Sequence, residues 1–542
     1  MGSSQNPIRP DVGSSGFPLP LTFDDSTSAS SVRILGVCKL FRRVISFPVM
    51  LAVLLVGAGF VSGRLFLVDP DLWWHLKVGE SILQTHRWPT TDPYSFTVSG
   101  QPWVEYEWLA DVLLAVTARI GGLRALDALL IVLGGAILVA LYSLATLRTG
   151  NSKAAFIASA ILLPLVRPFF SLRPQMLGYL FLVLTLICLE RFRQGHRRWI
   201  WLLPVLLLIW VNTHGFWIIG LGAVLAYWVG GLFDFRLGDL YARRWSPENR
   251  CRISLVFLLC LCALPITPYG ARLAPSPFEY AFSLPLNSSS ILEWQPLHFD
   301  LMIAKLFLAC FFFFIVVQIV FRFAWRLEEL GLLVFGTLMM CLHVRFMVIF
   351  VPFFLPLLAG VLARWVPRYQ EEKDVYALNA LLILLTLTGI FVFFPKHYQL
   401  QAAVSKAFPA EGVAYLDKHP VPEPMFNSYG FGGYLIWARG PEHKVFIDGR
   451  GDVYERGGVL SDYKHIAGIG PGSLAVLRAY GIRSCLLERD SPAATVLAAS
   501  GDWRRVYLDN VSVLFVWQGD SPAALPNTTR AQGIELSLTR MK

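Results

Sequence analysis

The chain has 542 residues, 55% of them apolar, 14% aromatic and only 15% charged, with a mean hydropathy of +0.54. A charged share so far below the roughly 25% of soluble domains excludes a cytosolic globular enzyme. The net charge of +10 sits largely in short connections between apolar blocks, the distribution of cytoplasmic loops rather than of a nucleic-acid-binding face, so no nucleic-acid partner is expected.

A polar, Ser- and Pro-rich leader opens the chain, and its first 30 residues are expected to be disordered. The first apolar block begins near residue 44 and is followed by no clear small-residue cleavage site, which marks an uncleaved first span. Eleven candidate spans follow from blocks long enough for a hydrocarbon core of about 30 Å. They lie near 44–66, 124–147, 154–170, 175–189, 199–212, 216–234, 252–268, 301–320, 328–342, 346–362 and 375–394. The expected fold is therefore a multi-span α-helical membrane protein with a C-terminal α/β domain: a cytoplasmic tail 1–43, a membrane module 44–394 and an exported domain 395–542. Cysteines lie mostly in or beside apolar blocks, no pair has metal-site spacing, and Cys485 is alone in the polar tail, so cysteine chemistry is not expected to carry function.

Orientation comes from the basic residues. Connections at 190–198 and 235–251 hold Arg191, Arg193, Arg197, Arg198, Arg243, Arg244 and Arg250, which places them inside. The long loop 67–123, the turns near 171–174, 212–215 and 343–345, the loop 269–300 and everything after about 395 then face outward. Within the long loop, 108–120 is too short to span and has the apolar spacing of an interfacial helix. The tail alternates helical stretches, 401–418 and 472–480, with β-type runs at 444–448 and 511–517.

The unusual polar residues collect on the outer side. Asp69-Pro70-Asp71-Leu72-Trp73-Trp74-His75 directly follows the first span, and Glu105 and Glu107 come later in the same loop. Arg167, Arg173, Asn212, His214, His343 and Arg345 occupy the short outer turns. Carboxylates and cations from these turns can converge on one cavity beside the acyl chains, where ionisable groups are costly and therefore functional candidates. Arg grips phosphate oxygens through paired charge-assisted hydrogen bonds, while a carboxylate can take the proton of an attacking hydroxyl. This chemistry suits sugar transfer from a lipid phosphate.

The Asp69–Glu80 stretch resembles the first outer loop of the C-type glycosyltransferase superfamily, which includes oligosaccharyltransferase catalytic subunits, protein mannosyltransferases and lipid A aminoarabinose transferases. It is similar in particular to a substrate-unassigned bacterial branch that joins Asp-x-Trp-Trp-His to tail motifs, here Gly432-Gly433-Tyr434 and Phe446-Ile447-Asp448-Gly449-Arg450. The resemblance implies a polyprenyl-phosphate- or polyprenyl-diphosphate-linked sugar donor and a lipid, glycan or protein acceptor. It implies an acid of the first loop as base, Asp71 or Asp69, with Asp71 favoured because Pro70 restrains the backbone before it. Arg173, His214, Arg345, His75 and Arg167 are the candidate donor contacts. Trp73, Trp74, Glu105 and Glu107 are the candidate acceptor or sugar contacts. The long tryptophan-plus-two-acids motif of oligosaccharyltransferases is missing, which makes protein glycosylation the minor reading. No cofactor is required by these residues, though Asp69 and Asp71 could hold a divalent cation with Glu105 or Glu107. The expected setting is a bacterial inner membrane.

Blander readings stand beside these. Asp69 and Asp71 can cap a helix, Trp73, Trp74, Trp103 and Trp108 can form an interfacial belt, and Arg173 and Arg345 can snorkel to headgroups. Arg450 and Asp452 can close the Asp448-Gly449 turn as an ion pair, with contact between the tail and the membrane cavity as the alternative, and Asn287-Ser288-Ser289 is formally a glycosylation sequon. A transporter or flippase of lipid-linked glycans would share the basic cavity without needing a base, and a scaffold with an exported binding domain is the third class.

Overall fold

The computed structural model describes residues 41–62, 68–282, 286 and 292–519. The leader 1–40, the sequon at Asn287 and the end of the chain lie outside these residues. The protein is an integral membrane protein, predominantly helical, with a sheet-bearing C-terminal region. Six helices are long and apolar enough to cross a membrane: Phe41–Val61, Trp108–Thr149, Ser152–Phe169, Gln175–Arg193, Met302–Phe321 and Val344–Leu362. A seventh arises if Tyr376–Val392 and His397–Ala407, bent by 59°, count together.

The other expected spans are helices but shorter ones. Leu202–Val211, Trp217–Gly230, Pro247–Ala263 and Leu327–Leu342 have 10, 14, 17 and 16 residues, and at 1.5 Å per residue 14 residues reach only about 21 Å of a core of about 30 Å. Polar turns lie at one end of three of these four: Asn212–His214 lies between Val211 and Trp217, and His343 follows Leu342.

Helix Trp108–Thr149 is two helices in one. At Gly121 and Gly122 the backbone leaves helical geometry, Gly122 with φ 58°, a left-handed conformation that glycine adopts without the Cβ clash of other residues. The break separates the 108–120 segment, expected at the interface, from the apolar half that follows.

At the end of the helices opposite loop 67–123, the connections are tied by buried and half-buried ion pairs. Arg326 bonds Glu190 at 2.9 Å, Arg148 bonds Glu329 at 2.5 Å, and Arg193 pairs with Glu328. Such pairs are expensive to bury unless well matched, and they fix which helix ends meet.

The C-terminal region carries a four-stranded sheet in the order Met425–Asn427, Ser484–Glu488, Ser512–Trp517, Trp503–Leu508. The first pair is parallel and the others antiparallel. Strand Ser512–Trp517 matches the β-type run expected there. The run at 444–448 does not join the sheet. Instead Val445 bridges to Ser95 of the outer loop, its N–H donating to the Tyr94 carbonyl at 3.0 Å and its carbonyl accepting from Phe96 N–H at 3.1 Å. Its β-type residues thus satisfy the backbone of another segment. Trp73 is enclosed by Phe408, Tyr434 and Trp437, with ring centroids 5.4, 5.0 and 4.8 Å away. The outer loop and the C-terminal region share one buried interface.

Candidate functional site

Asp71 opens helix Asp71–Thr85. Its backbone N–H donates to Asp69 Oδ1 at 3.0 Å, a local turn that leaves the Asp71 side chain pointing forward while Asp69 turns back. Asp69 Oδ2 accepts from Arg173 Nε, Asp71 Oδ2 lies 3.3 Å from Arg173 Nη2, and Glu293 Oε1 lies 3.6 Å from Nη1. Burial raises the Asp71 carboxyl to about 6 against the opposing pull of Arg173, so near neutral pH it is mostly ionised yet close enough to accept a proton. The same three carboxylates hold Arg173 well above its usual value, outweighing its own burial.

The second cluster is a chain of imidazoles and carboxyls. His75 Nδ1 and Asp111 Oδ1 are hydrogen-bonded at 2.6 Å, His75 Nε2 lies 3.6 Å from Glu107 Oε2, and His214 Nε2 lies 3.4 Å from Glu107 Oε1. His214 Nδ1 accepts from Phe216 N–H at 3.1 Å. Burial pushes Glu107 well above the carboxylate range and holds His75 and His214 well below the usual imidazole value. Burial thus favours the uncharged forms of both imidazoles and of Glu107. Burial also pushes Glu105 up to about 8, although its Oε1 accepts from Glu107 N–H at 2.9 Å.

A third group belongs to the C-terminal region. Arg450 donates to both oxygens of Asp448 at 2.8 and 2.7 Å, lies 2.7 Å from Asp92 Oδ1, and stacks 4.5 Å from the Trp103 ring. The expected Arg450–Asp452 turn pair is therefore not formed: Asp448 is two residues away on the same turn and Asp92 comes from the outer loop, while Asp452 lies 3.7 Å from Arg456.

These groups open onto one cavity of about 1160 Å³. Asp71, Trp74, His75, Glu105, Glu107, Arg173, His214 and Arg345 all line it, as do Tyr429, Gly449, Arg450 and Asp452 of the C-terminal region. Below Phe216 the polar chamber passes into an apolar groove. Ile218, Ile219, Gly222, Leu225, Ala226 and Val229 form one wall, on helix Trp217–Gly230. Gly331, Leu332, Phe335 and Met339 form the other, on helix Leu327–Leu342. A Cβ added at Gly222 or Gly331 would meet nothing within 4 Å.

Some expected contacts are elsewhere. Asp69 is buried behind Asp71 and does not line the cavity. Arg167 donates from Nε to the Gly59 carbonyl at 3.3 Å, away from it. Trp73 packs against the C-terminal region instead of facing a ligand. Trp73, Trp74 and Trp103 are all buried, so they do not form an interfacial belt, where rings would face lipid. Asp111, Glu293 and Tyr429 do not stand out in the sequence as site residues, while Arg450 and Asp452 reach the cavity, the alternative to a purely structural tail turn. An acid such as Asp111 inside an otherwise apolar helical repeat was the one available signal.

Among the described residues no group of three or more His, Cys, Asp or Glu side chains is arranged to hold a metal ion. Asp69, Asp71 and Glu293 gather around the Arg173 guanidinium, which occupies the position a cation would take, and as arranged they do not fit one.

No family model matches the chain, and no curated protein does. Solved structures do resemble it in overall arrangement. One is the oligosaccharyltransferase of Archaeoglobus fulgidus tethered with an acceptor peptide, 11% identical over 88% of this chain and 74% of that one, TM-score 0.47. Another is AglB from the same organism with an inhibitory peptide and a dolichol-phosphate, 9% identical over 88% and 74%, TM-score 0.49. A third is ArnT from Cupriavidus metallidurans bound to undecaprenyl phosphate, 12% identical over 90% and 99%, TM-score 0.46. These neighbours are C-type glycosyltransferases, the superfamily that the sequence resembles. At such identities and TM-scores nothing about the chemistry of this chain follows from the likeness.

Proposed function

We propose that the protein transfers a sugar from a polyprenyl-phosphate or polyprenyl-diphosphate carrier to a hydroxyl of a lipid, glycan or protein acceptor, at the outer face of a bacterial inner membrane. The observation that carries this reading is the shape of the cavity: a chamber with a carboxylate, imidazoles and guanidinium groups that continues without interruption into an apolar groove between two helices. A ligand with a charged head and a long apolar tail matches both halves, whereas a soluble sugar nucleotide would leave the groove empty.

In this reading Asp71 accepts the proton of the acceptor hydroxyl as its oxygen bonds the anomeric carbon. The bond from that carbon to the phosphate oxygen breaks, and the phosphate leaves with the electron pair. Asp69 positions Arg173, and Arg173 positions Asp71 while keeping it ionised. Arg345 and His214 face the phosphate, and buried, water-poor surroundings strengthen each of these contacts. Tyr429, Trp74 and Glu105 line the side open to the acceptor. The C-terminal domain faces outward with the loop it packs against, and the eleven-span topology goes with this orientation.

The test is a transfer assay with the purified chain in lipid nanodiscs, a panel of polyprenyl-linked sugars and envelope lipids and glycans, repeated with Asp71→Asn. Transfer that drops at least about a hundredfold in the variant supports the reading. Transfer at the wild-type rate removes Asp71 from the chemistry, and translocation of the carrier without transfer replaces the enzyme by a flippase. Reporter fusions after residues 150, 195, 368 and 542 check the topology.

A further inference from the structure

Among the described residues three guanidinium groups line the cavity, and two of them are already taken. Arg173 is surrounded by Asp69, Asp71 and Glu293, with Asp71 at 3.3 Å and Glu293 at 3.6 Å. Arg450 is held by both oxygens of Asp448 and by Asp92, each at 2.7 or 2.8 Å. Arg345 differs. Among the described residues no carboxylate is ion-paired with it, and its Nε is buried without a hydrogen-bond partner. Its guanidinium packs against two aromatic rings, 4.4 Å from the centroid of Trp294 and 5.3 Å from that of Phe216. Phe216 directly precedes the helix that walls the groove, so Arg345 stands where the chamber meets the groove.

A guanidinium packed against aromatic rings still offers the paired N–H donors of its edge, which match two oxygens of one phosphate. A second phosphoryl group would have to point into the groove, lined by Ile, Leu, Ala, Val, Phe and Met side chains, or back toward Asp71, Glu293 and Glu107. Among the described residues neither direction offers another uncommitted cation.

Resting on the proposed reading of the site, we infer that the carrier is a lipid monophosphate, a single phosphodiester charge held by Arg345, and that lipid diphosphates are discriminated against.

The experiment measures binding of undecaprenyl phosphate and undecaprenyl diphosphate to the full chain in nanodiscs, by native mass spectrometry and by quenching of tryptophan fluorescence, with and without Mg²⁺ or Mn²⁺. The monophosphate is expected to bind at least about tenfold more tightly under all conditions. Arg345→Gln is expected to weaken it by between about tenfold and a hundredfold, with Arg345→Lys intermediate, as for loss of a charge-assisted hydrogen bond. Thermal unfolding of each variant confirms that it is folded. Equal or tighter binding of the diphosphate, with or without divalent cation, overturns the monophosphate inference while leaving the lipid-carrier reading standing. Unchanged monophosphate affinity in folded Arg345→Gln overturns the role of Arg345. If neither lipid binds to the folded wild-type chain, the lipid-carrier reading itself fails.

Discussion

The carboxylate of Asp71 rests against the Cα of Gly449, so closely that a Cβ at Gly449 would come within 1.8 Å of Asp71 Oδ1. One residue is the first of a helix in the outer loop, and the other lies in the C-terminal region nearly four hundred positions later. A neighbouring glycine, Gly433, lies on Pro70, where a Cβ would meet the backbone oxygen at 2.3 Å. The two motifs noted in the tail therefore form the floor under the acidic motif of the loop.

Gly449→Ala must displace the Asp71 carboxylate and is expected to lower transfer at least about tenfold, since small misplacements of catalytic groups are costly. Gly433→Ala pushes on backbone and is expected to cost about 1–3 kcal/mol of stability. Transfer rates and thermal unfolding of the two variants separate these effects.

Because Asp71 must be ionised to accept a proton, kcat/KM is expected to rise with pH through about 6. Arg173 lowers the Asp71 value, so Arg173→Gln is expected to move this acid limb to higher pH. A pH–rate profile in which the limb stays in place would assign it to another group.

Glu105 gives a stability signature of the opposite kind. Its folded carboxyl titrates near 8 and its unfolded one near 4.5, so between those values the unfolded chain binds fewer protons. Stability is then full below about 4.5 and declines as pH rises toward about 8. Glu105→Gln is expected to flatten the fall in unfolding temperature across this window.

Arg450 neutralises Asp448 and Asp92 in a buried site. Arg450→Met leaves both uncompensated and is expected to destabilise by about 3–5 kcal/mol. Adding Asp92→Asn should restore part of the loss, measured by thermal unfolding of the pair and of each single variant.

Gly222→Leu and Gly331→Leu place side chains in open space within the groove. Each is expected to raise KM for long polyprenyl carriers several-fold while leaving short-chain analogues little changed, which a comparison of two carrier lengths would read directly.

Much of this site was legible in the sequence. Asp71, His75 and Glu107 stand out in the long loop after the first span and Arg173, His214 and Arg345 in short turns assigned to the same side, and the structure gathers all six around one cavity. Hydropathy marks where a chain enters and leaves the bilayer, and turns between packed helices must be close. It does not record which loop residues meet a distant segment. Arg450 looked like a local turn partner because its pairing with Asp92 has no sequence period. The β-type run 444–448 looked like a sheet strand because residues that satisfy a neighbouring loop have the same composition. Trp73 and Trp74 share one dipeptide, yet only Trp74 reaches the cavity. The short helices Trp217–Gly230 and Leu327–Leu342 were legible as apolar blocks, but the channel between them depends on the small residues Gly222 and Gly331, which no hydropathy profile distinguishes from ordinary span glycines.

The groove between those two helices is a gutter rather than a tunnel: Gly222, Leu225, Gly331 and Phe335 are exposed along its outer side. A lipid can therefore slip in sideways from the bilayer without ever threading its end through a portal, and any isoprene units beyond the last wall residue simply stay among their neighbours. Loading and unloading become diffusion within the plane of the membrane, so the number of isoprene units past the groove's length should hardly register in how well a carrier is used.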